Sequence, residues 1–506
     1  MKAKTIAQTN PHWLCFSALL LFYVAFAPGT VEGMGYVQEN LLATDRLAGN
    51  LGRWMTGQRS EPFLWTRHGG VEPMIELPFA LLSRLLFGAS VKWLGRVMVF
   101  LPILQTALLC LLIFLWTRRL TGNVAWGRVL ALAAGVSTML WPYAYIGLET
   151  TQSLFLFGAA YLALARTSGR GWAETILFAL ASAVAVSVKL NGVFLVPAVV
   201  FLVWSYFRGA PSRGRTIKAA LAALVIVAVY GLNLWLRQQA WSGAPGGDVG
   251  YALGLVVDHP LTAALHAFSY FGSPNKSLLI YAPVTGLSLL ALPRAYRAHP
   301  RVVIFAALTL AGLVGGFSAL YMWAEETWGP RYPHAAIAPL VISFAAARAA
   351  VPFHWRREVP LLAAMSIGTA VSFLGAFFYY GILHNAAIDS SQATLETIQH
   401  DPRWNHARFN LKLLQVWRSQ RSGREGEAEQ WPPPPHWWFE RPADAPPDKT
   451  VDLRELAVPQ PVLFQEWRPA FPVPYKTFQL IRAANLICLI GSVILGVYPH
   501  QYFDKE

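Results

Sequence analysis

Apolar runs of about 17–25 residues, the length of helix that crosses a hydrocarbon layer about 30 Å thick, recur from the N-terminus to residue 385 and once more near the C-terminus. A backbone inside lipid has no water to bond with, so each run must close its amide hydrogen bonds internally, as helix. The runs fall approximately at 12–29, 93–116, 126–143, 149–166, 173–189, 192–207, 217–236, 277–293, 302–322, 335–350, 359–382 and 476–497. The expected architecture is therefore an all-α polytopic membrane protein with about twelve transmembrane helices. Composition agrees: 13% of residues are charged, against about 25% in ordinary soluble domains.

The net charge of +14 raises nucleic acid as a partner, and the placement of the basic residues argues against it. With Lys2 and Lys4 on the cytoplasmic side, alternate connections carry Arg118/Arg119, Arg166/Arg170, Arg208/Arg213/Arg215/Lys218, Arg294/Arg297/Arg301 and Arg348/Arg356/Arg357. That is the positive-inside pattern of a multi-pass protein with both termini cytoplasmic, and it also suits contact with membrane lipids. Residues 1–30 admit a second reading as a cleaved signal peptide ending at Ala25-Phe26-Ala27, which leaves the following loops in the same compartment. Cys15, Cys110 and Cys488 all lie in apolar runs and outline no disulfide framework. The chain divides into a membrane domain, 1–384, whose first outer loop spans about 30–92; an outer segment, 385–475; and a last span with a cytoplasmic tail, 476–506. Interfacial helices are expected in the first loop, from Tyr36 to Trp54 and after Pro73-Met74-Ile75-Glu76-Leu77-Pro78-Phe79. The outer segment holds the proline run Pro432 to Pro435 beside Trp437, Trp438 and Phe439, and a charged stretch, Arg418 to Gln430, with the composition of a linker.

Ionisable groups are nearly absent from the span centres, unlike a proton relay or an ion-coupled carrier. Ionisable and aromatic groups appear instead where spans emerge on the outer side: Glu32; Arg67, His68 and Glu72; Trp141 and Glu149; Lys189; Lys276; Glu325, Glu326 and Arg331. Lys189 and Arg67 also suit snorkelling anchors, Glu149 a helix N-terminus, and Glu325-Glu326 a solvated loop. No histidine pair has metal-ligand spacing, no cofactor is expected, and a divalent-metal requirement stays open. A carboxylate can take a proton from an acceptor hydroxyl or amine, while Lys and Arg can hold a phosphate leaving group. Those are the needs of sugar transfer from a polyprenyl-phosphate donor.

Several blocks strengthen that reading: Val31-Glu32-Gly33; Arg67-His68-Gly69-Gly70-Val71-Glu72-Pro73 with Leu77-Pro78; Leu140-Trp141-Pro142-Tyr143 with Glu149; Phe271-Gly272-Ser273-Pro274-Asn275-Lys276-Ser277 with Tyr281-Ala282-Pro283; and Trp328-Gly329-Pro330-Arg331-Tyr332. In order and placement they resemble bacterial members of the C-type glycosyltransferase superfamily, the class that includes protein O-mannosyltransferases and aminoarabinose transferases of lipid A. The resemblance covers about residues 12–345, and Asp401-Pro402-Arg403 to Leu414 is similar to a further segment of relatives. It implies a bacterial inner-membrane enzyme with a periplasmic active site, a polyprenyl-phosphate-linked sugar donor, a glycan, lipid or protein acceptor, and inversion at the anomeric carbon. The chain departs from the pattern at Glu32, where an aspartate is usual, at Leu148, in place of a serine, and at Ser277, in place of a glycine.

On that resemblance Glu32 is the expected base, with Glu39 and Asp45 as alternatives, and Glu149 a second cavity carboxylate. Arg67, Lys189, Lys276 and Arg331 are expected to hold the donor phosphate, and His68, Trp141, Tyr143, Trp328 and Tyr332 to wall the cavity. The rival readings are a transporter or lipid flippase, and a non-catalytic membrane scaffold.

Overall fold

A computed structural model describes residues 11–28, 35–66, 68–166, 171–208, 212–240, 259–319, 328–378, 405–422, 430–431 and 451–452. Glu32, Arg67, Glu325, Glu326, the expected span 476–497 and most of 385–475 lie outside the described residues.

The helices follow the apolar runs. In chain order they are α1 (Pro11–Ala25), α2 (Gly35–Met55), α3 (Val71–Phe87), α4 (Val91–Met98), α5 (Phe100–Thr121), α6 (Val124–Val136), α7 (Leu140–Tyr143) and α8 (Gly147–Ala160), which ends in a π-helical turn at Tyr161–Ala165. Then come α9 (Trp172–Ser187), a 3-10 turn at Leu190–Leu195 leading into α10 (Val196–Arg208), α11 (Ser212–Ala240), α12 (Pro260–Gly272), α13 (Leu278–Tyr281), α14 (Pro283–Ala298) and α15 (Pro300–Ser318). A 3-10 turn at Tyr332–Ala336 opens α16 (Ile337–Ala347), followed by α17 (Val359–Phe377) and α18 (His406–Arg421). Strands β1 (Gln430–Trp431) and β2 (Val451–Asp452) form one short antiparallel pair.

Among the described residues, four helical stretches are long and apolar enough to cross a membrane: Val91–Thr121, Thr216–Gln239, Pro300–Ser318 and Val359–Phe377. The other apolar helices are shorter, and the span expected at 126–143 is broken between α6 and α7. In the stretch 30–92, α2 and α3 are helices where helices are expected. Outside it, α18 runs to Arg421, through the start of the stretch expected to be a linker.

Local chemistry sets the reversals. Gly122, at φ +68, closes α5 with its amide on the Arg118 carbonyl, and Asn123 then caps α6 by accepting from the amides of Ala125 and Trp126. Between helices, small residues let backbones approach, as expected where lipid offers no hydrophobic drive to pack. Gly312 and Gly316 of α15 form such a stripe: a methyl at the first would meet the Phe194 carbonyl oxygen at 2.2 Å, and at the second the Phe194 ring at the same distance. Tyr23 of α1 donates to the Gly135 carbonyl of α6 at 2.8 Å, and Ser372 of α17 donates to the Thr138 carbonyl at 2.9 Å. Outward faces are apolar, with Leu85, Leu224, Val227, Phe268 and Leu290 exposed, the inverse of a water-soluble surface.

The two ends of the bundle differ. At one end Arg348 pairs with Glu358 at 2.9 Å and lies over Trp126, while Arg208, Lys218 and Arg356 lie over Trp204, Trp172 and Trp355. Cations beside tryptophans are an interfacial belt. At the other end, polar side chains turn inward.

Candidate functional site

Glu149 lies in the first turn of α8, where a carboxylate suits the positive end of the helix dipole. The chain reaches that position through the break after α7, held by the Thr150 hydroxyl, which donates to the Tyr143 and Ile146 carbonyls at 2.9 Å each. Lys189 sits in the tight turn after α9; a methyl on Gly192 would meet the Val186 carbonyl oxygen at 2.2 Å, so glycine is required for the chain to fold back there. Arg331 follows Gly329, whose φ of +58 and closeness to the Tyr281 ring leave no room for a side chain.

These three turns converge. Lys189 Nζ donates to Glu149 Oε1 at 2.6 Å, and Arg331 Nε donates to the same oxygen at 2.5 Å. Glu149, Lys189 and Arg331 are 3%, 5% and 6% exposed. One carboxylate thus faces two cations in a place nearly closed to water, where a charge is tolerated only if it is paired. Lys189 lies over the Tyr332 ring at 5.4 Å, and Tyr332 is stacked on Phe317 at 3.8 Å. Ser153 donates to the Glu149 carbonyl at 2.7 Å, so its oxygen is left to accept from His334 Nδ1, 2.8 Å away. That tautomer leaves His334 Nε2 as a buried acceptor, with no partner among the described residues.

A second acidic group adjoins the first. Glu72 and Glu76, four residues apart on α3, share one inward face. A methyl on Gly147, two residues before Glu149, would meet Glu72 Oε1 at 2.5 Å. The Thr44 hydroxyl donates to Glu76 Oε2 at 2.6 Å; that of Thr151 donates to Glu72 Oε1 at 3.1 Å and stands 3.1 Å from Gln105 Oε1. In α3, outside the spanning helices, burial raises Glu72 well above the usual carboxylate range, with Glu76 adding to the effect, and it pushes Glu76 up to about 7.

The remaining expected site residues divide. Tyr143 donates to the Trp328 carbonyl at 2.9 Å and meets the His334 ring edge-on, and Trp328 packs edge-on against Tyr281. Lys276 is buried in the loop before α13, its amide on Ser273 Oγ, with the Asn405 side chain donating to the Pro274 carbonyl at 2.5 Å. His68 sits in the turn before α3. Trp141 packs instead against Phe22 and Phe26 of the α1 region, ring centroids 4.6 and 5.3 Å away. Asp45 is taken by Arg84 at 2.7 Å, a bond that ties α2 to α3.

Glu76, Thr151, Ser153 and His334 have no assigned role in the sequence reading, and Glu72 appears there only as one of the outer-face groups. The spacing of Glu72 and Glu76 was the available signal, since two acids at i and i+4 on an otherwise apolar helix share one face. Among the described residues, no group of three or more His, Cys, Asp and Glu is arranged to hold a metal ion.

No protein-family model matches the chain, and no curated protein matches its sequence. Among solved structures, it is similar to the Archaeoglobus fulgidus oligosaccharyltransferase complexed with zinc and sulfate, at 13% identity and a TM-score of 0.45, over 72% of this chain and 53% of that one. It is likewise similar to the oligosaccharyltransferase AglB of the same archaeon in complex with an inhibitory peptide and a dolichol-phosphate, at 12% identity and a TM-score of 0.45, over 79% of this chain and 59% of that one. The chain spans less than two thirds of the length of either.

Proposed function

We propose that the chain is an integral membrane glycosyltransferase that moves a sugar from a polyprenyl-phosphate donor to an acceptor at the periplasmic face of a bacterial inner membrane. The observation that carries the reading is the buried meeting of Glu149, Lys189 and Arg331, delivered by three separate turns to one end of the bundle. In the reaction an acceptor oxygen or nitrogen forms a bond to the anomeric carbon as the bond from that carbon to the phosphate oxygen breaks. The electron pair leaves on the polyprenyl phosphate, the acceptor proton goes to a carboxylate, and inversion follows from attack opposite the leaving group.

Lys189 and Arg331, with Arg67 and Lys276, hold the phosphate as it gains charge. Glu149 fixes the direction of the first two cations. Glu32 is the base, and Tyr143, Trp328 and Tyr332 wall the sugar. No second carboxylic acid is needed for the leaving group, because a phosphate ester leaves readily, in contrast to glycosidase chemistry.

The test is mass spectrometry of envelope glycolipids and glycans in cells lacking the chain. One sugar should be missing while its polyprenyl-linked donor accumulates. Return of the wild-type chain should restore both, Glu32→Gln should not, and Arg331→Glu should weaken donor binding. An unchanged sugar inventory would refute the reading; net movement of lipid across proteoliposomes without covalent product would identify a flippase.

A further inference from the structure

Helix α3, which carries Glu72 and Glu76, begins without a cap of its own: Gly70 stands at its N-cap and offers no side chain. The first amides of a helix have no intrahelical acceptor, and leaving them unpaired in a buried place is costly. Here the acceptor comes from another helix. Asn233, on α11 and 163 residues away in sequence, accepts from the Gly70 amide at 2.8 Å and the Val71 amide at 3.1 Å through its one Oδ1. Its Nδ2 donates to the His68 carbonyl at 2.9 Å and to the Ser187 carbonyl at 2.6 Å. The amide's full capacity, two donated and two accepted bonds, is used, and the residue is 5% exposed.

The surrounding sequence makes room for this arrangement. Gly69 lies at φ +98, and a methyl there would stand 2.2 Å from Asn233 Oδ1; one on Gly70 would meet Leu236 at 2.7 Å. The consecutive glycines of the 67–73 block are therefore the space into which Asn233 fits. Ser187 is the last residue of α9, two before Lys189. One buried amide thus ties the start of the Glu72-bearing helix to the turn that bears Lys189.

We propose that Asn233 is a positioning residue of the sugar-transfer site, setting the separation between the Glu72–Glu76 pair and the Glu149–Lys189–Arg331 cluster. This rests on the glycosyltransferase reading for its consequence, and on geometry alone for the clamp. Two variants separate its halves. Asn233→Asp keeps an acceptor for Gly70 and Val71 but loses both donated bonds; Asn233→Leu keeps the volume and loses all of them.

The experiment uses the full chain in nanodiscs, with hydrogen exchange followed by peptide, thermal unfolding, and transfer assayed with the polyprenyl-phosphate-sugar fraction extracted from cells lacking the chain. Asn233→Leu should speed exchange in the segments 66–76 and 184–192 and leave peptides of α5, α6 and α16 at wild-type protection. Asn233→Asp should loosen 184–192 while the amides of 70 and 71 stay protected. The saturating transfer rate should fall about 100-fold in Asn233→Leu, the scale of an ångström-sized misplacement, with half-saturating donor within threefold of wild type. Wild-type saturating rate in Asn233→Leu, unchanged exchange at 66–76, or loosening spread evenly over the whole protein would each overturn the proposal. Wild-type protein that transfers no sugar, with 66–76 selectively loosened in Asn233→Leu, would refute the glycosyltransferase reading and support the clamp.

Discussion

Glu149 is a buried carboxylate whose charge is met twice over, by Lys189 at 2.6 Å and Arg331 at 2.5 Å. Removing the acid takes from both cations the buried carboxylate they share, and breaking a buried pair in this way costs about 3–5 kcal/mol. Glu149→Gln is therefore expected to lower unfolding stability in detergent by that amount, and adding Lys189→Met should recover part of the loss; denaturant titration of the single and double variants measures both. Glu76 behaves differently because burial favours its neutral form and pushes its titration up to about 7. From the ordinary glutamate range up to that value the folded chain keeps a proton that the unfolded chain has released, so stability falls as pH rises through the window. Thermal unfolding between pH 5 and 8 should show the decline, and Glu76→Gln should make it shallower. A slope identical in the variant would remove Glu76 as its source.

At the scale of elements, Gly312 and Gly316 decide how closely α15 lies on the chain entering α10. A leucine at Gly316 would overlap the Phe194 ring, which lies 2.2 Å from the position of a first side-chain carbon. Overpacking of this kind costs about 1–3 kcal/mol, so Gly316→Leu should lower the melting temperature, and Phe194→Ala in the same chain should restore much of it. If the two changes simply add, the contact is not the cause. Helix existence was legible in the sequence because apolar length and bounding arginines are local signals: among the described residues each of the first eleven apolar runs overlaps helix, although 126–143 and 277–293 are each split between two. Their breaks were less legible, since α6 and α7 are divided by a turn inside one apolar run. Of the site, Glu149, Lys189 and Arg331 were readable because charges are conspicuous at span ends. Asn233 was not, because its partners are 46 to 165 residues away and nothing local marks it. Trp141, an aromatic in a conspicuous block, gives no such local sign of where its ring packs, which is against Phe22 of α1.

For the whole molecule, the reading depends on which end of the bundle faces the cytosol. Under the proposed function the arginine and tryptophan belt around Arg348, Arg356 and Trp126 is the cytoplasmic end, as the charge rule favours, and the Glu149 cluster is the outer one. Exposed positions mark both ends: Gln58 in the connection between α2 and α3, and Arg356 between α16 and α17. In a chain whose native cysteines are replaced by serine, Gln58→Cys should react with a membrane-impermeant maleimide in intact spheroplasts. Arg356→Cys should react only after permeabilisation. The reverse pattern would place the cluster on the cytosolic side, where a periplasmic acceptor is out of reach whatever the geometry at Glu149. Labelling of both positions from outside would show that the two ends are not separated by the bilayer.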